Sequence, residues 1–199
     1  MPSSEQRAMD QIVNCHLPAT ADAPNNRLPV LHYRNVLPSP VSEDSTIKFL
    51  TANEWEHRGT WGHIDIRHFH PKSHECYGIF RGPSTLLVGQ IQAGQGARID
   101  VSAGDVIVLP AGTAHSSLKS SSDYRYIGVY PTGCPRWRNK FGKNPAESFR
   151  DVIDQVDMPV ADPVYGKDGT PPILQFFQWY CSFRIVSSNT WQIIFGLCN

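Results

Sequence analysis

Hydrophobic and polar positions along this chain follow two different periods. From 60 to 131, short apolar runs alternate with polar residues and are broken by glycine, proline or polar turns. This pattern predicts strands near 61–69, 75–81, 84–90, 97–101, 105–109, 114–119 and 124–130. Strands at this density predict a sandwich or a barrel. Upstream, 28–33 (LPVLHY) predicts a first strand. Ile47, Leu50 and, less well, Trp55 share one face of a predicted helix over 44–55, capped by Asp44 or Ser45. Downstream, Asn144-Pro145-Ala146-Glu147 predicts a helix start, with Asn144 as cap, Pro145 in the first turn and Glu147 reaching back to the cap. That helix is predicted to run to about Val156.

These elements divide the chain into a flexible N-terminal arm (1–26), one domain (27–170, barrel core about 60–131) and an atypical apolar C-terminal tail (171–199). The tail is rich in Phe, Trp and Ile but interrupted by Arg184 and by Ser187-Ser188-Asn189-Thr190. Its charge-free stretch is too short to span a bilayer comfortably, so packing on the barrel is expected. A length of 199 residues fits one domain, and 16 prolines with 15 glycines suit many turns and an all-β fold. Acidic and basic residues number 18 each, which gives no reason to expect nucleic acid or an anionic membrane as partner. Five cysteines without a C-x-x-C pair argue against a disulfide framework or a structural zinc site. The polar first 26 residues contain no apolar signal segment, so a cytoplasmic location is expected.

The stretch with chemistry in it is 62–82, GHIDIRHFHPKSHECYGIFRG. On a strand, Ile64, Ile66, His68 and His70 share one face, so two imidazoles project the same way toward one point. Imidazole nitrogens suit divalent transition metals. Pro71-Lys72-Ser73 supplies a turn, after which Glu75 can point inward with Tyr77 and Ile79. His74 then faces away from the centre. A second stretch, 104–119 (GDVIVLPAGTAHSSLK), brings a tight turn at 110–113 and opens a strand with His115, with Ser117 and Lys119 predicted on the same face. His68, His70, Glu75 and His115 are therefore the predicted ligands of one divalent ion, with positions left for water or substrate.

These residues resemble the two cupin motifs. Gly62, His68, His70, Glu75 and Gly82 match the first, and Gly104, Pro110, Gly112 and His115 the second, with Lys119 standing where the motif has Asn. The chain more narrowly resembles the YjlB-like group of RmlC-like cupins, on PNNRLPVLHY near the start, the His74-Glu75 pair, PAGTAH, VYPTG at 129–133 and DPVYGKDG at 162–169. It is also similar to fungal cupin-domain oxidoreductases of polyketide-type secondary-metabolite pathways. The resemblance implies a cupin double-stranded β-helix, or jelly-roll, barrel with a few peripheral helices, and a homodimer. It covers roughly 24–170, and the tail departs from it.

Three functional classes follow. One is a metal-dependent oxidoreductase acting on a small organic molecule, with Fe2+ the first expectation and Mn2+, Zn2+ or Ni2+ as alternatives. Another is a redox-neutral isomerase or lyase, in which the ion is a Lewis acid and Glu75 or a pocket tyrosine moves the proton. The third is a non-catalytic binding protein. Glu75, Tyr77 and Lys119 are the candidate catalytic residues, Lys119 as an anchor for an anionic substrate group or as a solvated rim residue. Tyr77, Tyr124, Tyr126 and Tyr130 either line a substrate pocket or pack the core.

Overall fold

The computed structural model of the chain describes residues 12–92 and 96–167. The predicted tail, 171–199, and most of the predicted arm before Ile12 lie outside them. In chain order the described elements are β1 (Ile12–Cys15), β2 (Val30–Tyr33), α1 (Glu43–Thr51), β3 (Trp55–Trp61), β4 (Glu75–Arg81), β5 (Ser84–Val88), β6 (Ala97–Val101), β7 (Val106–Leu109), β8 (His115–Ser120) and β9 (Arg125–Pro131). A 3-10 turn (Ala146–Phe149) leads into α2 (Arg150–Asp154). Among the described residues, no helix is long and apolar enough to cross a membrane.

The strands form two antiparallel sheets, one in the order β1-β2-β7-β4-β9-β3 and one in the order β6-β5-β8. β4 is flanked by β7 and β9, and β5 by β6 and β8, all antiparallel. The chain therefore crosses between sheets in three passes, β4–β5, β6–β7 and β8–β9, with each outer pass lying along the middle one. This is the double-stranded β-helix of a jelly roll, as the sequence led us to expect. The alternation of strand side chains sorts the core into two layers. Tyr77, Ile79, Leu86, Val88, Val101, Ile107, Leu109, Tyr124 and Tyr126 fill the barrel between the sheets. Leu31, Tyr33, Cys76, Val106, Val108, Ile127 and Val129 face the other way and pack under Leu50 of α1 and Val164.

The structure corrects several sequence-based boundaries. Within the predicted flexible arm, β1 pairs residue for residue with β2, Ala23 is buried, and the Asn25 side chain donates to the carbonyls of Pro18 and Gly89. The first helix is capped by Ser42, not by Asp44 or Ser45: Ser42 and Ser45 exchange side-chain hydrogen bonds with each other's backbone N–H in a capping box. That helix stops at Thr51, and Trp55, predicted as its last apolar residue, opens β3 instead. The predicted strand over 61–69 is absent as a strand. Trp61 ends β3; the residues after it run from that edge of one sheet to the free β8 edge of the other, where they form only the single bridges of His68 with His115 and Phe69 with Lys140 and a backbone bond from Ser117 to Ile64. A segment that changes sheets cannot keep a continuous ladder with either. The predicted helix over 144–156 shortens to the 3-10 turn and α2, and no side-chain cap forms at its start.

Candidate metal centre

The four predicted ligands gather together: His115 and Glu75 open β8 and β4, and His68 and His70 lie on the crossing segment beside them. His68 and His115 are backbone partners: the N–H of each donates to the carbonyl of the other, at 3.2 and 2.8 Å. His70 follows, and its carbonyl accepts from the Gly112 N–H at 2.7 Å, which ties the 110–113 turn to the first histidine segment. That turn depends on glycine. Gly112 sits at φ +83°, and a Cβ there would lie 2.4 Å from Ile153 Cδ1 of α2. Glu75 opens β4 opposite Leu109 of β7. All four side chains are at most 6% exposed.

The three imidazoles converge. Their ring centroids lie 4.4 to 5.3 Å apart, and one ligand nitrogen from each falls within 4.8 Å of the others. Backbone carbonyls select which nitrogen that is. A carbonyl can only accept, so the Nδ1 facing it must carry the proton. His68 Nδ1 donates to Ile66 at 2.7 Å, His115 Nδ1 to Thr113 at 2.9 Å, and His70 Nδ1 to Arg138 at a longer 3.5 Å. Each ring is left with Nε2 turned toward the centre, the arrangement in which outer hydrogen bonds orient metal-binding imidazoles.

Glu75 completes the group from one side. Its Oε2 stands 3.1 Å from His70 Nε2 and 3.2 Å from His115 Nε2. It does not belong to the tight three-nitrogen cluster with His68. Burial would push the Glu75 carboxyl up, but His70 and His115 beside it outweigh that and hold it well below the carboxylate range. Glu75 Oε2 and His115 Nε2 are buried and make no hydrogen bond. A carboxylate lone pair facing an imidazole lone pair at this distance is repulsive. A proton on the ring, or a cation between them, resolves it. The donor set, three imidazoles and one carboxylate, suits a divalent first-row ion. Burial, followed by the neighbouring His115, lowers the His68 pKa to about 3, so this ring is neutral and ready to ligate across the physiological range.

Behind the centre the barrel is full. Tyr77 stands edge-on to His115 at 6.0 Å and packs against Tyr126 at 4.1 Å with the rings tilted by 37°. The cavity they bound with His68 is about 10 Å³, room for about one water. Burial and the Glu75 charge raise the Tyr77 hydroxyl well above its ordinary range, so it remains a neutral donor. A larger groove, about 490 Å³, runs past His74, Cys134 and Met158, and none of the four predicted ligands lines it. Phe141 is 42% exposed with its ring 6.5 Å from His68, and Trp61 and Trp137 meet edge to face at 6.0 Å. Gly128 makes room for this wall, since a Cβ there would come within 2.3 Å of the Trp61 ring.

Two sequence-based placements change. Ile66, predicted on the inward face with the histidines, is 60% exposed, because the backbone leaves the strand pleat between 62 and 67. Lys119, predicted beside His115 and Ser117, is exposed on the outer face. Ser117 pairs with Leu86, but Lys119 pairs with Thr85, and the extra residue Leu118 forms a bulge that reverses the alternation. Lys119 does not reach the centre. His74, predicted to face away, does so: it is buried, and its Nδ1 accepts from the Ala111 N–H at 3.1 Å. One contact had no role assigned from sequence. The Tyr130 hydroxyl donates to Glu75 Oε1. The alternation Tyr124, Tyr126, Gly128, Tyr130 is a signal for its inward face, but its place beside the start of β4 comes from the pairing of β4 with β9.

No family model matches the chain. The uncharacterized protein YjlB of Bacillus subtilis (strain 168) is 29% identical over 150 residues, which are 75% of this chain and 86% of that protein. Among solved structures, RmlC from Streptococcus suis in complex with dTDP-D-xylose is similar at 15% identity and TM-score 0.33, over 62% of this chain and 74% of that one. An 11S globulin from Wrightia tinctoria is similar at 11% identity and TM-score 0.33, over 57% of this chain; the chain spans only 22% of that globulin. At these TM-scores neither bears on what the chain does.

Proposed function

We propose that this chain is a metal-dependent oxidoreductase that holds one divalent ion through His68, His70, Glu75 and His115 and acts on a small organic molecule. The observation that carries the reading is the set of three buried imidazoles, each with Nδ1 tied to a backbone carbonyl and Nε2 turned to a common point, beside a carboxylate oxygen that has no hydrogen-bond partner. The ion, when bound, supplies Lewis acidity and, as Fe2+, one-electron chemistry. The chain's residues do the rest. The carbonyls of Ile66, Arg138 and Thr113 fix the rings, and Glu75 brings one negative charge. Tyr77 and Tyr126 close the barrel behind the centre and leave room there for about one water. The exposed Phe141 ring beside His68 suits a substrate with a flat apolar part. The resemblance to fungal cupin-domain oxidoreductases favours a phenolic or polyketide-type molecule. In this reading the protein works in the cytoplasm as a homodimer, without nucleic acid or membrane.

Elemental analysis of protein purified without chelators, from iron- and manganese-replete medium, is the test. Near-stoichiometric iron that turns over with an oxidant, and loses activity on zinc exchange, supports the oxidoreductase. Undiminished turnover with zinc replaces it by the redox-neutral reading. His70→Ala is expected to lose nearly all bound metal. Wild-type occupancy in that variant, or no metal in the parent after reconstitution, rules the centre out.

A further inference from the structure

Tyr130 lies near the end of β9, where the pairing of Cys76 with Val129 sets it beside Glu75. It is 1% exposed, and its hydroxyl donates to Glu75 Oε1. The ring is held from outside the barrel's own core. Trp137 stacks on it at 5.1 Å and 12°, and the Arg58 guanidinium stands 5.2 Å from its centroid. Arg58 is fixed in turn, donating to the carbonyls of Cys134 at 2.8 Å and Pro135 at 3.1 Å and to Glu56 at 3.1 Å. A tyrosine held this firmly, with its one polar atom spent on one carboxylate oxygen, determines what the other oxygen can do. Oε2 is the oxygen left facing His70 and His115.

We infer that Tyr130 is a positioning residue that makes Glu75 a one-oxygen ligand. By occupying Oε1 it turns Oε2 toward the imidazoles, keeps the carboxylate from chelating through both oxygens, and so preserves an extra open position on the ion. The inference rests on Glu75 being a ligand, as proposed above. Tyr130→Phe removes only the hydroxyl and keeps the ring between Trp137 and Arg58, so a purely structural Tyr130 predicts no change at the centre.

The test uses Co2+ alone as probe, in the full chain, reading its affinity by chelator competition and its visible absorption, with Glu75→Gln in parallel. Loss of a hydrogen bond that orients a metal ligand typically costs roughly 10- to 100-fold in affinity. We expect Tyr130→Phe to fall in that range and to change the Co2+ spectrum, with its circular dichroism that of the parent. Parent affinity and spectrum in Tyr130→Phe, while Glu75→Gln changes both, overturn the inference and leave Glu75 a ligand. No change in Glu75→Gln removes the ligand reading itself, and the inference with it. Should Tyr130→Phe fail to fold, the double variant Trp137→Leu with Arg58→Met carries the test: it removes both groups that hold the ring and keeps the hydroxyl, and a parent Co2+ spectrum there overturns the positioning role.

Discussion

Burial governs the histidines next to the centre as firmly as it governs the apolar core. His74 is pushed down to about 4 by burial, against a backbone hydrogen bond at Asp157 that raises it, and His68 to about 3. Both have folded values below the ordinary 6.5, so the unfolded chain binds more protons between those limits. Stability therefore falls as pH drops from about 6.5 toward 4, by up to about 1.4 kcal/mol per pH unit for each such group. Glu75 and Asp105, held below the carboxylate range, add their losses only at still lower pH. Thermal melts from pH 7 to 5 are expected to show this slope, and His74→Asn, whose amide oxygen can keep the Ala111 contact, to flatten it. An equal slope in that variant would mean His74 is not buried neutral. At this scale the convergence of the four predicted ligands was legible because H-x-H, Glu75 and His115 sit in a frame of turn-forming glycines and proline. The Tyr130 contact was not, because it joins two strands whose register no local pattern states.

Elements decide which face a residue shows, and here alternation is a reliable guide only until a bulge. Glu75, Tyr77 and Ile79 alternate inward as predicted because β4 is regular from Glu75 to Ile79, paired on both sides. β8 is regular only to Ser117; Leu118 is the inserted residue, and everything after it is inverted. Nothing in HSSLKS signals this, since small polar residues tolerate either face. Lys119→Ala is accordingly expected to leave metal occupancy and Co2+ affinity at parent values, with a stability change within about 0.5 kcal/mol, as for other surface substitutions. A several-fold loss of affinity would put the amine back at the centre. The crossing at 62–67 misled the strand prediction for a similar reason: its apolar spacing is that of a strand, but it spans two sheets and belongs to neither.

For the whole molecule, strand density and punctuation were enough to read an all-β barrel, because each short run must bury one face and only a closed double sheet buries them all. The ends of the domain were harder. β1 is four residues long with an exposed middle, and it gains its order from β2 rather than from its own sequence. The C-terminal segment is likewise fastened from a distance, with the Trp55 indole donating to the Ala161 carbonyl at 3.0 Å and the Tyr33 hydroxyl to Asp162 at 2.7 Å. A ligand that binds only the folded barrel must stabilise all of it. Metal at about 100 times its dissociation constant is expected to add roughly 2.7 kcal/mol. Calorimetric melts with and without Co2+ read this as a rise in the transition, absent in His70→Ala.

His68 and His115 are partners twice over, through their backbones and through their rings. The seam between the crossing segment and the free edge of β8 is sutured by few backbone hydrogen bonds, and the candidate ion would sit across it. Such an ion is a rivet as well as a reagent. Held there, it would lock this edge of the barrel shut, and whatever stripped it away would loosen the stitch that shapes the site.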